Sequence, residues 1–145
     1  MSFKSVTTEN SKELRILVVD DDEGVRRMLF LLLTNLGYRV VLAENGQQAF
    51  ELFSRDSFSL VLTDLSMPEM DGFALAAKVK MASPNTPIVM VTGSRVEESA
   101  DTNCVDYILF KPFQLADVHR TVEIALAGGF FRPPAESGAE IQIQG

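Results

Sequence analysis

Hydrophobic residues fall into short blocks that alternate between two periods. Leu14-Arg15-Ile16-Leu17-Val18-Val19 is a mostly aliphatic run that ends abruptly in Asp20-Asp21-Asp22. It reads as a strand buried on both faces. Beyond Asp22, a good helix N-cap, Val25, Met28, Leu29, Leu32 and Leu36 recur at three- and four-residue steps, and Gly37 is placed to stop the helix. The alternation continues with a strand over 38–43, a helix over 47–53, a strand over 58–63 ending on Asp64, and a loop containing Met67-Pro68. A helix over about 72–81, a strand over 88–91 ending at Thr92, a strand over 107–110 and a helix over 115–126 complete it.

Strands joined through helices by connections too long for hairpins imply parallel β-α-β units with right-handed crossovers. The expected architecture is α/β, a doubly wound five-stranded parallel sheet with helices on both faces. Ligands of such sheets lie beyond the carboxyl ends of the strands. Asp20 and Asp21 follow strand 1, Asp64 ends strand 3, Thr92 ends strand 4 and Lys111 follows strand 5. Residues far apart in sequence are thereby expected in one cleft.

Composition narrows the picture. With 145 residues, 46% of them hydrophobic, the chain can bury a core without covalent staples. The lone Cys104 excludes an internal disulfide and any multi-cysteine metal site, which suits a reducing cytosol. It reads as a small apolar filler. A net charge of −7 repels phosphate backbones, so direct nucleic-acid binding is not expected. No apolar run reaches the roughly 18 residues of a membrane span. The expected organisation is a polar extension over residues 1–12, one domain over 13–127 and a loosely ordered tail over 128–145 that contains Phe130 and Phe131.

Three converging carboxylates repel one another unless a cation sits among them. Mg²⁺ is the natural candidate, because it prefers oxygen ligands and keeps waters that a phosphate can replace. A carboxylate beside such an ion can attack a phosphoryl group, with a lysine neutralising the transferring oxygens. Asp64 is the best-placed nucleophile, and Lys111 the lysine. Taken singly, each residue has an ordinary explanation: an Asp at a strand end is usually a turn or cap residue, and Lys-Pro is a common loop. The joint occurrence at strand ends carries the reading.

The segments 17–22, Leu60-Val61-Leu62-Thr63-Asp64-Leu65-Ser66-Met67-Pro68-Glu69-Met70-Asp71-Gly72, 88–93 and Lys111-Pro112-Phe113 resemble the signature segments of response-regulator receivers of two-component signalling. The resemblance covers about 14–127. It implies a flavodoxin-like strand order 2-1-3-4-5 and a phosphoryl group taken by Asp64 from a histidine kinase or phosphotransfer protein. It further implies Mg²⁺ held by Asp20, Asp21, Asp64 and the backbone carbonyl of Ser66, and signalling to a downstream protein from a cytoplasmic location. Thr92 is similar to the hydroxyl residue that meets the phosphoryl group. Lys111 is similar to its lysine partner, across a cis bond to Pro112.

Two departures stand out. The usual switch aromatic, three places before the lysine, is Ile108 here. Tyr107 is one place earlier, and strand alternation points it to the opposite face. The chain between Thr92 and Lys111 is also about one helical turn short, so the fourth helix is expected to be short or irregular. The segment 94–102 is then the expected bistable element. His119, on the last helix, reads as an ordinary surface or partly buried residue. Two other classes use related features. A haloacid-dehalogenase-type phosphatase expects a second Asp two residues after the nucleophile, where Ser66 stands. A non-phosphorylated scaffold would not need the acidic pocket with Thr92 and Lys111.

Overall fold

A computed structural model describes residues 14–93, 104–128 and 141–143. The expected helix-4 segment and its bistable behaviour, the 1–12 extension, Phe130 and Phe131 lie outside the described residues. The elements are β1 (Arg15–Val19), α1 (Glu23–Asn35), β2 (Arg39–Ala43), α2 (Gly46–Arg55), β3 (Leu60–Asp64), α3 (Gly72–Ala82), β4 (Ile88–Thr92), β5 (Tyr107–Phe110), α4 (Leu115–Leu126) and β6 (Ile141–Ile143).

β1 to β5 form the parallel sheet in the order 2-1-3-4-5, as the sequence predicts. Its two faces bury separate clusters. Leu17, Val19, Val61, Met90 and Ile108 pack with Ala49 and Phe53 of α2 and Leu75, Ala76 and Val79 of α3. Ile16, Val18, Leu60, Leu62 and Leu109 pack with Leu29 and Leu33 of α1 and Val118, Val122 and Ala125 of α4. Every residue of β3 and β4 is buried, which is why their sequences show no alternation. Their polar ends help to set the register. A one-residue slip of β3 would pull Asp64 into the sheet interior, and burying an unpaired charge there is prohibitive.

The helix boundaries follow local chemistry. Asp22 caps α1, its Oδ1 accepting from the Gly24 and Val25 amides at 2.8 and 3.2 Å. Gly37, at φ 102°, takes the left-handed turn after that helix, where a side chain would be strained. Tyr107 and Ile108 fall in opposite clusters, so the alternation argument holds. Cys104 packs half-buried against the α2/α3 cluster.

One expectation needs correction. The tail over 128–145 is not wholly without regular structure, because its residues 141–143 form β6, antiparallel to β5. Three residues are too few to register as a strand in a hydrophobicity pattern. The edge of β5, to which they pair, supplies the missing signal.

Candidate functional site

The pairing register brings the polar strand ends together. Val19 is level with Thr63, Asp64 with Val91, and Thr92 with Phe110, so Asp20, Asp64, Thr92 and Lys111 all emerge at one end of adjacent strands. The carboxylate oxygens of Asp20, Asp21 and Asp64 lie within 4.8 Å of one another, an arrangement that can hold a metal ion. Asp20 and Asp64 are buried and Asp21 is exposed. The pocket is thereby walled on the sheet side and open to solvent.

Asp20 is held from three directions. Its Oδ1 accepts from the Asp22 amide at 2.8 Å, its backbone carbonyl accepts from Arg26 Nη1 at 2.7 Å, and its own amide donates to the Ala43 carbonyl at 3.2 Å. Asp22 thus serves twice, its side chain starting α1 and its amide orienting Asp20.

Lys111 Nζ stands between two carboxylates, donating a long hydrogen bond of 3.5 Å to Asp64 Oδ1 and ion-paired with Asp20 Oδ2 at 3.6 Å. Its backbone amide donates to the Thr92 carbonyl at 2.8 Å, and the bond to Pro112 is cis, as expected. Thr92 is fully buried at the end of β4, one residue beyond the partner of Asp64. Ser66 is exposed, two residues past Asp64.

Electrostatics follow from this crowding. Burial pushes the Asp64 carboxyl above its ordinary pKa, opposed by Lys111 and the Leu65 amide and reinforced by Asp21. Asp20 is raised too, first by burial, with the Asp22 amide and Lys111 opposing and Asp64 and Asp21 adding to the rise. Among the described residues, Lys111 is the cation ion-paired within this cluster of three carboxylates, which leaves them short of positive charge.

The loop after Asp64 returns tightly to the sheet. The Met70 amide donates to the Pro68 carbonyl at 2.7 Å around Glu69, whose φ of 71° is uncommon for a residue with a side chain. Asp71 caps α3, and the Gly72 amide donates to the Leu65 carbonyl at 2.8 Å. A Cβ on Gly72 would sit 2.5 Å from the Asp64 carbonyl oxygen and 2.6 Å from Met90 Sδ. Only glycine lets α3 start this close to the acidic strand end.

Arg26 and the packing role of Gly72 were missed from sequence. Arg26 lies six residues from Asp20, on the first turn of a helix where an arginine is unremarkable, and no local signal marks its bond. Gly72 is visible in the Asp71-Gly72 pair, but a turn explains that pair equally well. His119 is half-exposed, with Nε2 3.2 Å from Glu123 Oε2 on the next turn of α4 and no part in the pocket.

Comparison with known proteins shows the family. The model of the response regulator receiver domain matches residues 16–123. The chain is 38% identical over 112 residues to the response regulator receiver protein CpdR of Brucella abortus, spanning 75% of this chain and 93% of that protein. It is 41% identical over 116 residues to the transcriptional regulatory protein ZraR of Escherichia coli K12, covering 77% of this chain but only 26% of ZraR. Among solved structures, the chemotaxis response regulator CheY4 of Vibrio cholerae superposes with a TM-score of 0.72 at 29% identity, covering 77% of this chain and 98% of that one. The response regulator TrrA of Thermotoga maritima, in complex with Mg²⁺-BeF, gives 0.72 at 28% identity, covering 76% and 96%.

The chain belongs to the response regulator receiver family, the signalling modules of two-component systems. That membership sets aside the haloacid-dehalogenase alternative. Among the described residues no helix is long and apolar enough to cross a membrane.

Proposed function

We propose that this receiver takes a phosphoryl group onto Asp64 from a histidine kinase or phosphotransfer protein and passes the signal to a protein partner in the cytoplasm. The observation that carries the reading is Lys111 Nζ, which bridges the carboxylates of Asp64 and Asp20 through long contacts of 3.5–3.6 Å. A lysine in that position is available to an arriving phosphoryl oxygen.

In the reaction an Asp64 carboxylate oxygen attacks phosphorus in line as the bond from phosphorus to the donor breaks, and the electron pair leaves with the donor. Asp64 must be ionised to attack. Its burial opposes ionisation, and the Lys111 charge favours it. Lys111 then balances the charge added on the new phosphoryl group, and the Thr92 hydroxyl is within the same strand-end cluster to donate to it.

The donor set suits Mg²⁺: carboxylate oxygens of Asp20, Asp21 and Asp64 lie within 4.8 Å of one another, and the Ser66 backbone carbonyl would add a further oxygen. When bound, the ion supplies the positive charge that the pocket lacks and screens the phosphoryl oxygens from the carboxylates. Asp20, fixed by Asp22 and Arg26, and the exposed Asp21 would hold it beside Asp64. The Mg²⁺-BeF complex of the similar TrrA supports this choice of ion.

The kinase side has a surface to meet. α1 starts three residues after Asp20 and α4 four residues after Lys111, so both helices flank the pocket mouth. Between them runs an apolar groove of about 870 Å³ lined by Met28, Leu31 and Leu115 with Arg27 at its side. Met28, Leu31 and Leu115 are exposed. A helical partner docked there would lie along α1, the helix that starts three residues after Asp20.

Incubation with acetyl phosphate and Mg²⁺ tests the reading by intact mass. Wild type is expected to gain one phosphoryl group and Asp64→Asn none. Equal modification of both chains would refute it.

A further inference from the structure

β5 is the outermost of the parallel strands, and Tyr107-Ile108-Leu109-Phe110 holds no charge, proline or glycine. An edge strand of that composition offers its outward amides and carbonyls for pairing, with none of the devices that normally discourage a foreign strand. The other edge of the sheet, β2, opens with exposed Arg39. Among the described residues, the unprotected edge is the one that carries an added strand. β6 pairs antiparallel with it, Leu109 with Ile141, Ile108 with Gln142 and Tyr107 with Ile143.

We propose that the β5 edge is a strand-docking site for an extended peptide of alternating apolar and polar residues, and that the chain's own Ile141-Gln142-Ile143 is its tethered competitor. Backbone pairing of this kind takes its affinity from the main chain, so the edge tolerates other sequences of the same pattern. Three residues of pairing make a weak contact. Residues 129–140 separate Gly128 from Ile141, and a tether that short holds β6 at an effective concentration on the order of millimolar. The resident strand is thus maintained by its tether and open to replacement. Among the residues whose burial is described, both core clusters are built from the stretch between Ile16 and Leu126. The inference also stands apart from phosphoryl transfer at Asp64.

The test uses the full chain and a full-length variant carrying Ile141→Pro, Gln142→Pro and Ile143→Pro, which removes every amide that β6 can donate. The probe is a synthetic peptide of residues 139–145 at millimolar concentration, read by amide hydrogen exchange and backbone NMR shifts. The proline variant is expected to keep its melting temperature within a few degrees, to exchange faster across 107–110 by at least ten-fold, and to regain protection when the peptide is added. The wild-type chain should bind the peptide at least ten-fold more weakly, and a peptide with the same three prolines should bind neither chain.

Unchanged exchange across 107–110 in the variant, or equal peptide binding by both chains, would overturn the proposal. Self-association of the variant through 107–110 in place of peptide binding would also overturn it, by making a second copy the occupant of the edge.

Discussion

Two lysine–aspartate pairs sit at opposite ends of the same sheet, and the contrast between them separates structure from chemistry. At the amino ends of β4 and β5, Lys80 Nζ meets Asp106 Oδ2 at 2.8 Å. The lysine also donates to the Thr86 carbonyl at 2.8 Å, and the same Asp106 oxygen accepts from the Ile88 amide at 2.7 Å. At the carboxyl ends, Lys111 stays 3.5–3.6 Å from two carboxylates, with a third beside them. The first pair is closed and neutral. The second is open and short of positive charge, which a structural clasp would not be. Under the proposed function, the open arrangement leaves room for a cation and a phosphoryl group to arrive.

Breaking the closed pair should have the largest effect on stability. Asp106→Ala removes two charge-assisted bonds and leaves the Ile88 amide without that acceptor, at an expected cost of about 2–3 kcal/mol in urea unfolding. Phosphorylation by acetyl phosphate should persist below the unfolding transition, since Asp106 lies at the far end of the sheet. Loss of phosphorylation in the folded variant would show that the two ends are not independent.

Gly72→Ala acts at the open end through backbone contact. The new Cβ meets the Asp64 carbonyl and Met90, and α3 must shift to admit it. The expected destabilisation is about 1–2 kcal/mol. The phosphorylation rate should fall as well, because the strand end moves with the helix. An unaltered rate at reduced stability would mean that the close start of α3 serves packing alone.

The crowded carboxylates give the next effect, of opposite sign. Burial raises the pKa of both Asp20 and Asp64, so the folded chain binds protons more tightly than the unfolded one. This contribution to stability is fully present below the ordinary carboxylate pKa and is lost as pH rises through the raised values. In metal-free buffer at neutral pH, Asp64→Asn should therefore melt higher than wild type, by roughly 3–6 °C for about 1 kcal/mol. The gap should close in acid, where wild type is protonated, and shrink when Mg²⁺ is added to wild type. A variant that melts lower than wild type in EDTA would contradict the crowding.

Lys111→Met is the smallest perturbation. Its charge is partly exposed and its contacts are long, so the stability loss should stay below about 1 kcal/mol in chemical denaturation. A loss as large as that of Asp106→Ala would mean that the second pair is closed too.

Much of this arrangement was legible in the sequence. Buried parallel strands are apolar along their whole length and stop at the polar residues that line the ligand end, so Asp20, Asp64, Thr92 and Lys111 mark both the strand ends and the site. Asp22 and Gly37 bound α1 by rules that act within a few residues. The closed pair was not legible, because Lys80 and Asp106 are 26 residues apart and only the register of β4 and β5 brings them together. β6 was missed for a related reason: its strand character comes from a neighbour more than thirty residues away. The hold of Arg26 on Asp20 depends on the direction of one side chain across the first turn of α1, which periodicity does not encode.

The central claim is that Asp64, and no other carboxylate of the pocket, carries the phosphoryl group. Borohydride reduces an aspartyl phosphate to homoserine, so treatment of the acetyl-phosphate-labelled protein followed by tandem mass spectrometry locates the modified residue directly. Homoserine is expected at position 64 alone. Homoserine at position 20 or 21, or labelled protein with no reduced aspartate, would contradict the account.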